Sequence, residues 1–325
     1  MKLLKLVPGD TNIKFLKLRV PFFIISLVLM AASWGLVAVN GLNLGIDFAG
    51  GQEVRLTFEE GNAAPVSELR ERVEALGYGT PVVQEFGSPN EVGIRVPLPE
   101  GVEDTPGAAT EIGNQVIAEI QSSYPDVRTD GNQTVSGKVA EEFSRDAGLA
   151  LLAAMIMVAL YIWIRFEWQF GVGALFALFH DVTLTLGLFS LFQLEFSLQI
   201  IAAILAIIGY SLNDTIVVYD RIRENLKKYR KMPLAELLDL SINETLARTV
   251  MTSLTLLVAL LPLLIAGPAS LFGLVAAIVF GLFVGTYSSV YMASPLLLWM
   301  GVTSDSFVPK ETEADRQEKK VLGEA

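Results

Sequence analysis

Six stretches of this chain are too long and too apolar to fold as a soluble core. They run over 20–39, 147–164, 170–192, 196–218, 249–266 and 271–300. A helix of about 20 apolar residues crosses the hydrocarbon core of a bilayer. The last run exceeds that length, so it tilts or protrudes. The spacing therefore predicts six transmembrane helices, and only two long hydrophilic segments remain, 40–145 and the one around 219–248. Composition agrees: 52% of the residues are hydrophobic and 18% charged, against about 25% charged in soluble proteins. A water-soluble enzyme and a disordered chain are both excluded. The chain has no cysteine, hence no disulfide, thiolate metal site or cysteine nucleophile. A single histidine argues against a histidine-based metal centre, and a net charge of −11 argues against nucleic acid as a partner. No phosphate-binding Gly-x-x-x-x-Gly-Lys-Ser/Thr loop is present, so ATP has no place, and no cofactor is expected.

Lysine and arginine near the span ends set the orientation. Five precede the first span (Lys2, Lys5, Lys14, Lys17 and Arg19), and six lie between Arg221 and Lys231, while the links 193–195 and 267–270 hold none. With six spans, the basic ends fall on one side. Both termini are expected in the cytoplasm. The first apolar run is longer than the h-region of a cleaved signal peptide and reads as an uncleaved anchor. The expected division is a cytoplasmic tail over 1–19, a span over 20–39, an exterior domain over 40–145, and three spans within 146–218. Cytoplasmic amphipathic helices over 219–248, two spans within 249–300 and an acidic tail over 301–325 complete it.

The exterior segment carries 7 Lys/Arg against 18 Asp/Glu. Alternation predicts strands over 54–58, 81–86 and 91–96, the last two joined by a Gly-Ser-Pro-Asn turn. A helix is expected from an N-cap at Ser67 to a stop at Gly77. Another spans 110–123, with Ile112, Val116, Ile117 and Ile120 on one face. A final strand over 127–135 is interrupted at Asp130-Gly131. This β-α-β-β-α-β order is that of a small α+β ferredoxin-like domain, a fold that hosts many functions and identifies none. No catalytic constellation is visible in it, and the chain is not expected to be an enzyme.

Ionisable groups inside a span cost roughly 2.5–3.5 kcal/mol on insertion scales, so each is a functional candidate. Asp214 sits about two turns inside the fourth run, with Ser211 three residues earlier on nearly the same face and Asn213 beside it. It is either an interfacial carboxylate reaching headgroup water or a working group. Arg248, Thr252 and Thr255 form an i, i+4, i+7 stripe at the start of the fifth run. Arg248 is either a snorkelling anchor or a partner for a buried carboxylate. His180-Asp181 lies near mid-membrane in the third run, either as a packing pair between helices or as part of a relay or wet cavity. Gly273, Ala277, Gly281 and Gly285 recur every fourth residue, a pattern for close helix contact. Apolar stripes at Ile222, Leu226 and Tyr229, and at Leu234, Leu237, Leu238 and Ile242, predict two helices lying along the membrane surface.

Three motifs together resemble a known family. Gly45-Ile46-Asp47-Phe48-Ala49-Gly50-Gly51 follows the first span directly. Ser211-Leu212-Asn213-Asp214-Thr215 continues into Val217-Val218-Tyr219-Asp220-Arg221-Ile222-Arg223-Glu224-Asn225. His180-Asp181-Val182, and Asn243-Glu244-Thr245 leading to Arg248-Thr249, complete the set. In this order on six spans they resemble the SecF family, membrane subunits that work with SecD in bacterial protein export. The resemblance implies half of an RND-like bundle, completed by a SecD-like subunit. It implies coupling of proton motive force to late steps of translocation of preproteins emerging from the SecYEG translocon, with YajC as accessory and membrane lipid as surroundings. It also implies Asp214 as a proton-carrying carboxylate and Arg248 as its cationic partner. Gly45, Asp47, Phe48, Gly50 and Gly51 carry the first motif. His180, Asp181, Ser211, Asn213 and Thr252 are candidates for a relay or cavity wall. An RND-type efflux half-transporter and a non-transporting translocon scaffold are the competing readings.

Overall fold

The computed structural model describes residues 11–59, 63–86, 88–99 and 107–302. Residues 303–325 of the expected acidic tail and the first ten residues lie outside that set. Helix α1 (Arg19–Asn40) continues a short 3₁₀ turn at Phe15–Leu18. Then come β1 (Asn43–Leu44), α2 (Ile46–Ala49), β2 (Gly51–Thr57), α3 (Val66–Ala75), β3 (Val82–Phe86), β4 (Ser88–Val96), α4 (Ala108–Ser123) and β5 (Arg128–Val135). The rest is α5 (Gly137–Arg165), α6 (Trp168–Phe192), β6 (Glu195–Phe196), α7 (Leu198–Lys228), α8 (Leu234–Ala266), α9 (Ala269–Ser288), a π-helical turn at Ser289–Ala293 and α10 (Ser294–Trp299). Six helical segments are long and apolar enough to span a membrane: Phe15–Asn40, Gly137–Arg165, Trp168–Phe192, Leu198–Lys228, Leu234–Ala266 and Ser270–Trp299. The π turn in the last one precedes Pro295, which has no N–H to continue a regular ladder.

The exterior sheet is antiparallel throughout, in the order β3-β4-β2-β5. β4 lies between β2 and β3, so the first helical crossover is split in the ferredoxin-like manner. Val54, Leu56, Val83 and Ile94 pack under α3 and α4, against Leu69, Val73, Ile112, Val116 and Ile120, all 4% exposed or less. The interruption at Asp130 is a bulge: Arg55 pairs with Gly131 and Leu56 with Thr129, leaving Asp130 unopposed. Helix α3 starts at Val66 after Pro65, two residues before the start that a Ser67 cap implies. The proline ring holds φ near the helical value and starts the turn without a side-chain cap.

The hydrophilic segment after the fourth span departs from expectation. Its helices do not lie along the membrane surface; they are uninterrupted extensions of α7 and α8, which form one long antiparallel hairpin. No glycine or proline falls within 219–228 or 234–248 to stop either helix. The apolar stripes expected to face lipid face the other helices instead: Ile222, Leu226, Leu237, Leu238 and Ile242 are buried in the main core. Asn225 Nδ2 donates to Ser241 Oγ (3.0 Å) and Glu244 Oε2 (2.7 Å), and Arg221 Nε donates to Glu244 Oε2 (2.7 Å). Asn243 clamps the backbone of Ile13 through both its amide atoms, at 2.9 and 2.8 Å.

Within the membrane, α6 and α7 are about half buried, while α1, α5 and α8 are largely uncovered. The four-residue stripe on α9 is the seam against α7. A Cβ on Gly281 would run into the Ile207 side chain, and one on Gly285 would stand 3.0 Å from Ser211 Cβ. The absence of side chains on these two glycines lets α9 approach closely enough to reach the polar groups of α6 and α7.

Candidate functional site

The polar residues of three spans converge where that seam is tightest. On α6, His180 and Asp181 are fully buried. Ser211 of α7 donates to Asp181 Oδ2 at 2.5 Å, and Ser288 of α9 donates to the same oxygen at 2.9 Å. His180 Nδ1 is hydrogen-bonded to Asp181 Oδ1 at 2.9 Å, while its Nε2 is buried without a partner among the described residues. Thr185 donates to its own helix at Asp181 O (2.8 Å), which leaves the Asp181 carboxylate to the hydroxyls of the other spans. One carboxylate thus fastens α6, α7 and α9 together. A second polar chain runs beside it. Tyr210 and Ser253 hydroxyls are 2.7 Å apart, and Ser253 and Thr286 hydroxyls 2.9 Å. The Tyr287 ring stands 6.0 Å from the His180 ring, and its hydroxyl donates to Phe22 O on α1 at 2.9 Å.

Asp214 lies three residues beyond Ser211 on α7, hence on nearly the same face. It is 1% exposed, and its Oδ2 has no hydrogen-bond partner among the described residues. Thr249 of α8, 3% exposed, also has an unpartnered hydroxyl. Asp214 is therefore a buried carboxylate with spare capacity, unlike the saturated Asp181.

His180, Asp181 and Ser211 thus come together as one cluster, with Asp214 close by along α7. Asn213 does not join them: it is exposed, in line with exposed Ala202, Ala206 and Gly209 on the other side of α7. Arg248 and Thr252 are exposed on α8. The Arg248 guanidinium makes no hydrogen bond or ion pair with Asp214 or any other described residue. Thr252 donates to its own helix, at Arg248 O (3.1 Å) and Thr249 O (2.9 Å). The Arg248 stripe faces out of the bundle, and its neighbour Thr249 faces in. Sequence reasoning missed Ser288 and Tyr287, and carried Thr249 only as a motif residue beside Arg248. The run Thr286-Tyr287-Ser288-Ser289 inside an apolar span was the available signal for the first two. Among the described residues no group of three His, Asp or Glu side chains is placed to hold a metal ion.

The glycine-rich motif after α1 forms a junction between the exterior sheet and the bundle. β1 and β6 pair in parallel, Asn43 with Glu195 and Leu44 with Phe196. Gly45 N donates to Phe196 O at 2.9 Å, and Phe48 packs on the Phe196 ring at 5.7 Å. Leu198 N, in the first turn of α7, donates to Asp47 Oδ2 at 2.8 Å. Gly51 adopts φ +121°, and a Cβ there would stand 2.8 Å from Val96 O, so only glycine fits where β2 begins. Beside this junction a cleft of about 590 Å³ separates the uncovered sheet face (Glu53, Arg55, Gln84, Phe86) from the outer ends of the spans (Glu195, Phe272). Burial, and then the charge of Glu53, raises the pKa of Glu195 above the ordinary carboxylate value.

Comparison with known proteins places this geometry. Residues 115–303 match the family "Protein export membrane protein SecD/SecF, C-terminal", and residues 35–61 match "SecD/SecF GG Motif". The protein translocase subunit SecF of Rhodobacter capsulatus is 44% identical over 308 residues, 92% of each chain. That of Vibrio alginolyticus is 38% identical over 315 residues, 97% of this chain and 98% of the other. The crystal structure of SecDF, a translocon-associated membrane protein from Thermus thermophilus, superposes with a TM-score of 0.80 at 37% identity over 90% of this chain. SecDF in its super-membrane-facing form gives 0.66 at 35% identity over 97%. This chain spans only 39% and 40% of those two SecDF chains, so it corresponds to one part of a larger assembly whose remainder a SecD-like partner supplies. Six apolar spans, an exterior ferredoxin-like domain and the glycine-rich junction thus accompany near full-length identity to translocase subunits: the chain is a multi-pass membrane protein that belongs to the SecF branch of the SecD/SecF protein-export family.

Proposed function

We propose that this subunit, with its SecD-like partner, uses proton motive force to promote late steps of preprotein passage through SecYEG, with YajC as accessory. The assembly sits in the bacterial inner membrane, with both termini cytoplasmic and the ferredoxin-like domain outside. The observation that carries the reading is Asp214: a carboxylate buried in the most enclosed span, with an oxygen left unpartnered. Such a group has little structural use and high chemical use. In a dry environment it is stable as the neutral acid, and an approaching guanidinium stabilises the carboxylate instead. Arg248, exposed one helix away, is the cation that can make that approach when α8 shifts against α7. Entry of the proton and its release to the other side then alternate with the position of α8. One proton descending 100 mV supplies about 2.3 kcal/mol, which shifts a two-state ratio about fifty-fold and so inverts a preference of about seven to one. The exposed face of α7, with Ala202, Ala206, Gly209 and Asn213, is the face set against the SecD-like half, where a lone amide in the membrane needs a partner.

Asp214→Asn keeps size and hydrogen bonding but cannot titrate. In inverted vesicles holding the subunit at wild-type abundance with its SecD-like partner, it is expected to abolish the gradient-dependent completion of a secretory precursor's transit. Arg248→Lys keeps the charge and loses the planar fork, and is expected to impair the step without abolishing it. Wild-type export by Asp214→Asn at wild-type abundance would sink the proton reading and leave a scaffold. Drug sensitivity without an export defect would favour efflux.

A further inference from the structure

The exterior domain and the central span are fastened through one carboxylate. The first N–H groups of any helix lack partners within it. In α7 the residue at the cap position, Ser197, makes no side-chain capping bond. The acceptor comes from 151 positions away: Leu198 N donates to Asp47 Oδ2 at 2.8 Å. A carboxylate there also complements the positive end of the helix dipole.

Asp47 is held rigidly from the exterior side. It lies in α2, whose flanks are pinned to β6 by Gly45 N and by the β1–β6 pairing. Two residues after α2 the chain is already in β2, one of the two inner strands of the exterior sheet. That sheet returns to the junction through Arg95, which donates to Leu44 O and Asn43 Oδ1, and through Arg55, whose Nη2 is 4.0 Å from Glu195 Oε1. Gly45 is so close to Glu195 that a Cβ would stand 2.8 Å from Oε1. The cleft beside the junction leaves the sheet room to tilt about it.

We infer that Asp47 is a positioning residue, the joint that transmits displacement of α7 to the exterior domain by capping that helix from the strand β2 side. This rests on the proposed function, in which α7 and α8 shift against each other. The glycine-rich motif thereby gains a mechanical role. The β1–β6 pairing brings the two segments together, Asp47 makes the bond, and Gly50-Gly51 turn the chain directly into the sheet.

The test uses the full chain with its SecD-like partner in nanodiscs. Asp47→Ala removes the acceptor, and Asp47→Asn keeps one. Hydrogen exchange at Leu198 is expected to rise about tenfold in Asp47→Ala and to stay within about twofold of wild type in Asp47→Asn. Spin labels on cysteines at Gln121 and Gln199, in a chain with no native cysteine, report the domain-to-span distance. The distribution is expected to broaden in Asp47→Ala and to narrow again in Asp47→Asn. Wild-type exchange at Leu198 in Asp47→Ala, or an unchanged distance distribution despite lost protection, overturns the inference. Neither measurement needs Asp214 to carry a proton, so failure of the proton reading would be seen separately.

Discussion

Truncating the Asp181 cluster one member at a time should produce a graded loss of stability. Ser211 and Ser288 both donate to Asp181 Oδ2, but they are not equivalent. The Ser288 hydroxyl is also 3.1 Å from Gly285 O on its own helix, so it has a second acceptor and less depends on the carboxylate. Ser211 is closer, at 2.5 Å against 2.9 Å. Hydrogen bonds between membrane helices average about 0.6 kcal/mol and reach about 1.7 kcal/mol. Ser288→Ala is therefore expected near the average and Ser211→Ala near the maximum. Asp181→Ala removes the acceptor of both hydroxyls and the partner of His180. At roughly 1 kcal/mol for each of three bonds it should cost about 3 kcal/mol. The assay is reversible unfolding in bicelles, with Ser211→Ala, Asp181→Ala and the double variant forming a cycle. A coupling energy of about 1–2 kcal/mol is expected between contacting, hydrogen-bonded residues. A coupling of zero would refute the claim that this carboxylate ties the spans together.

Two further outcomes follow from the packing and the junction. Gly281→Ala drives a methyl into Ile207 and should cost about 1–3 kcal/mol by overpacking, measured by the same unfolding assay; restoration of stability by the compensating Ile207→Ala, which removes both γ carbons and the δ carbon that the methyl meets, would locate the cost at that contact. Burial raises the pKa of Glu195, so the folded state holds a proton there at pH values where the unfolded chain has lost it. The folded state binding more protons means that this residue makes stability fall as pH rises from the ordinary carboxylate value through the raised one. Glu195→Gln should flatten that part of the stability curve, read by melting the complex across pH; an unchanged slope would show that Glu195 is not the group responsible.

The number of spans was legible because each is encoded locally, in about 20 consecutive apolar residues. The order of strands and helices in the exterior domain was legible for the same reason, since alternation and helical periodicity are properties of neighbouring residues. So was the bulge, announced by Asp130-Gly131 within a β-rich run. The small-residue stripe on α9 could be read as a contact surface, although nothing in it named α7 as the partner. The long hairpin was misjudged. An apolar stripe on a helix looks the same whether it meets lipid or another helix, and only the antiparallel pairing of Ile222 and Leu226 with Leu237, Leu238 and Ile242 distinguishes the two.

The site was legible as residue types and not as an arrangement. His180, Asp181, Ser211 and Asp214 stand out because ionisable and polar groups are costly in hydrocarbon, and that cost is a property of each residue alone. Which of them is satisfied depends on helix rotation and crossing distance. Those were decided by contacts far apart in sequence: Gly285 against Ser211, and Ser288 reaching Asp181 across 107 positions. The same rotation left Asp214 with a free oxygen, turned Arg248 outward and brought Thr249 in. Asp47 shows the limit most plainly. Its motif was conspicuous, yet a helix cap supplied from 151 positions away has no local sequence signature, because a cap is recognised by proximity to an unpartnered N–H, and that proximity exists only once the chain has folded.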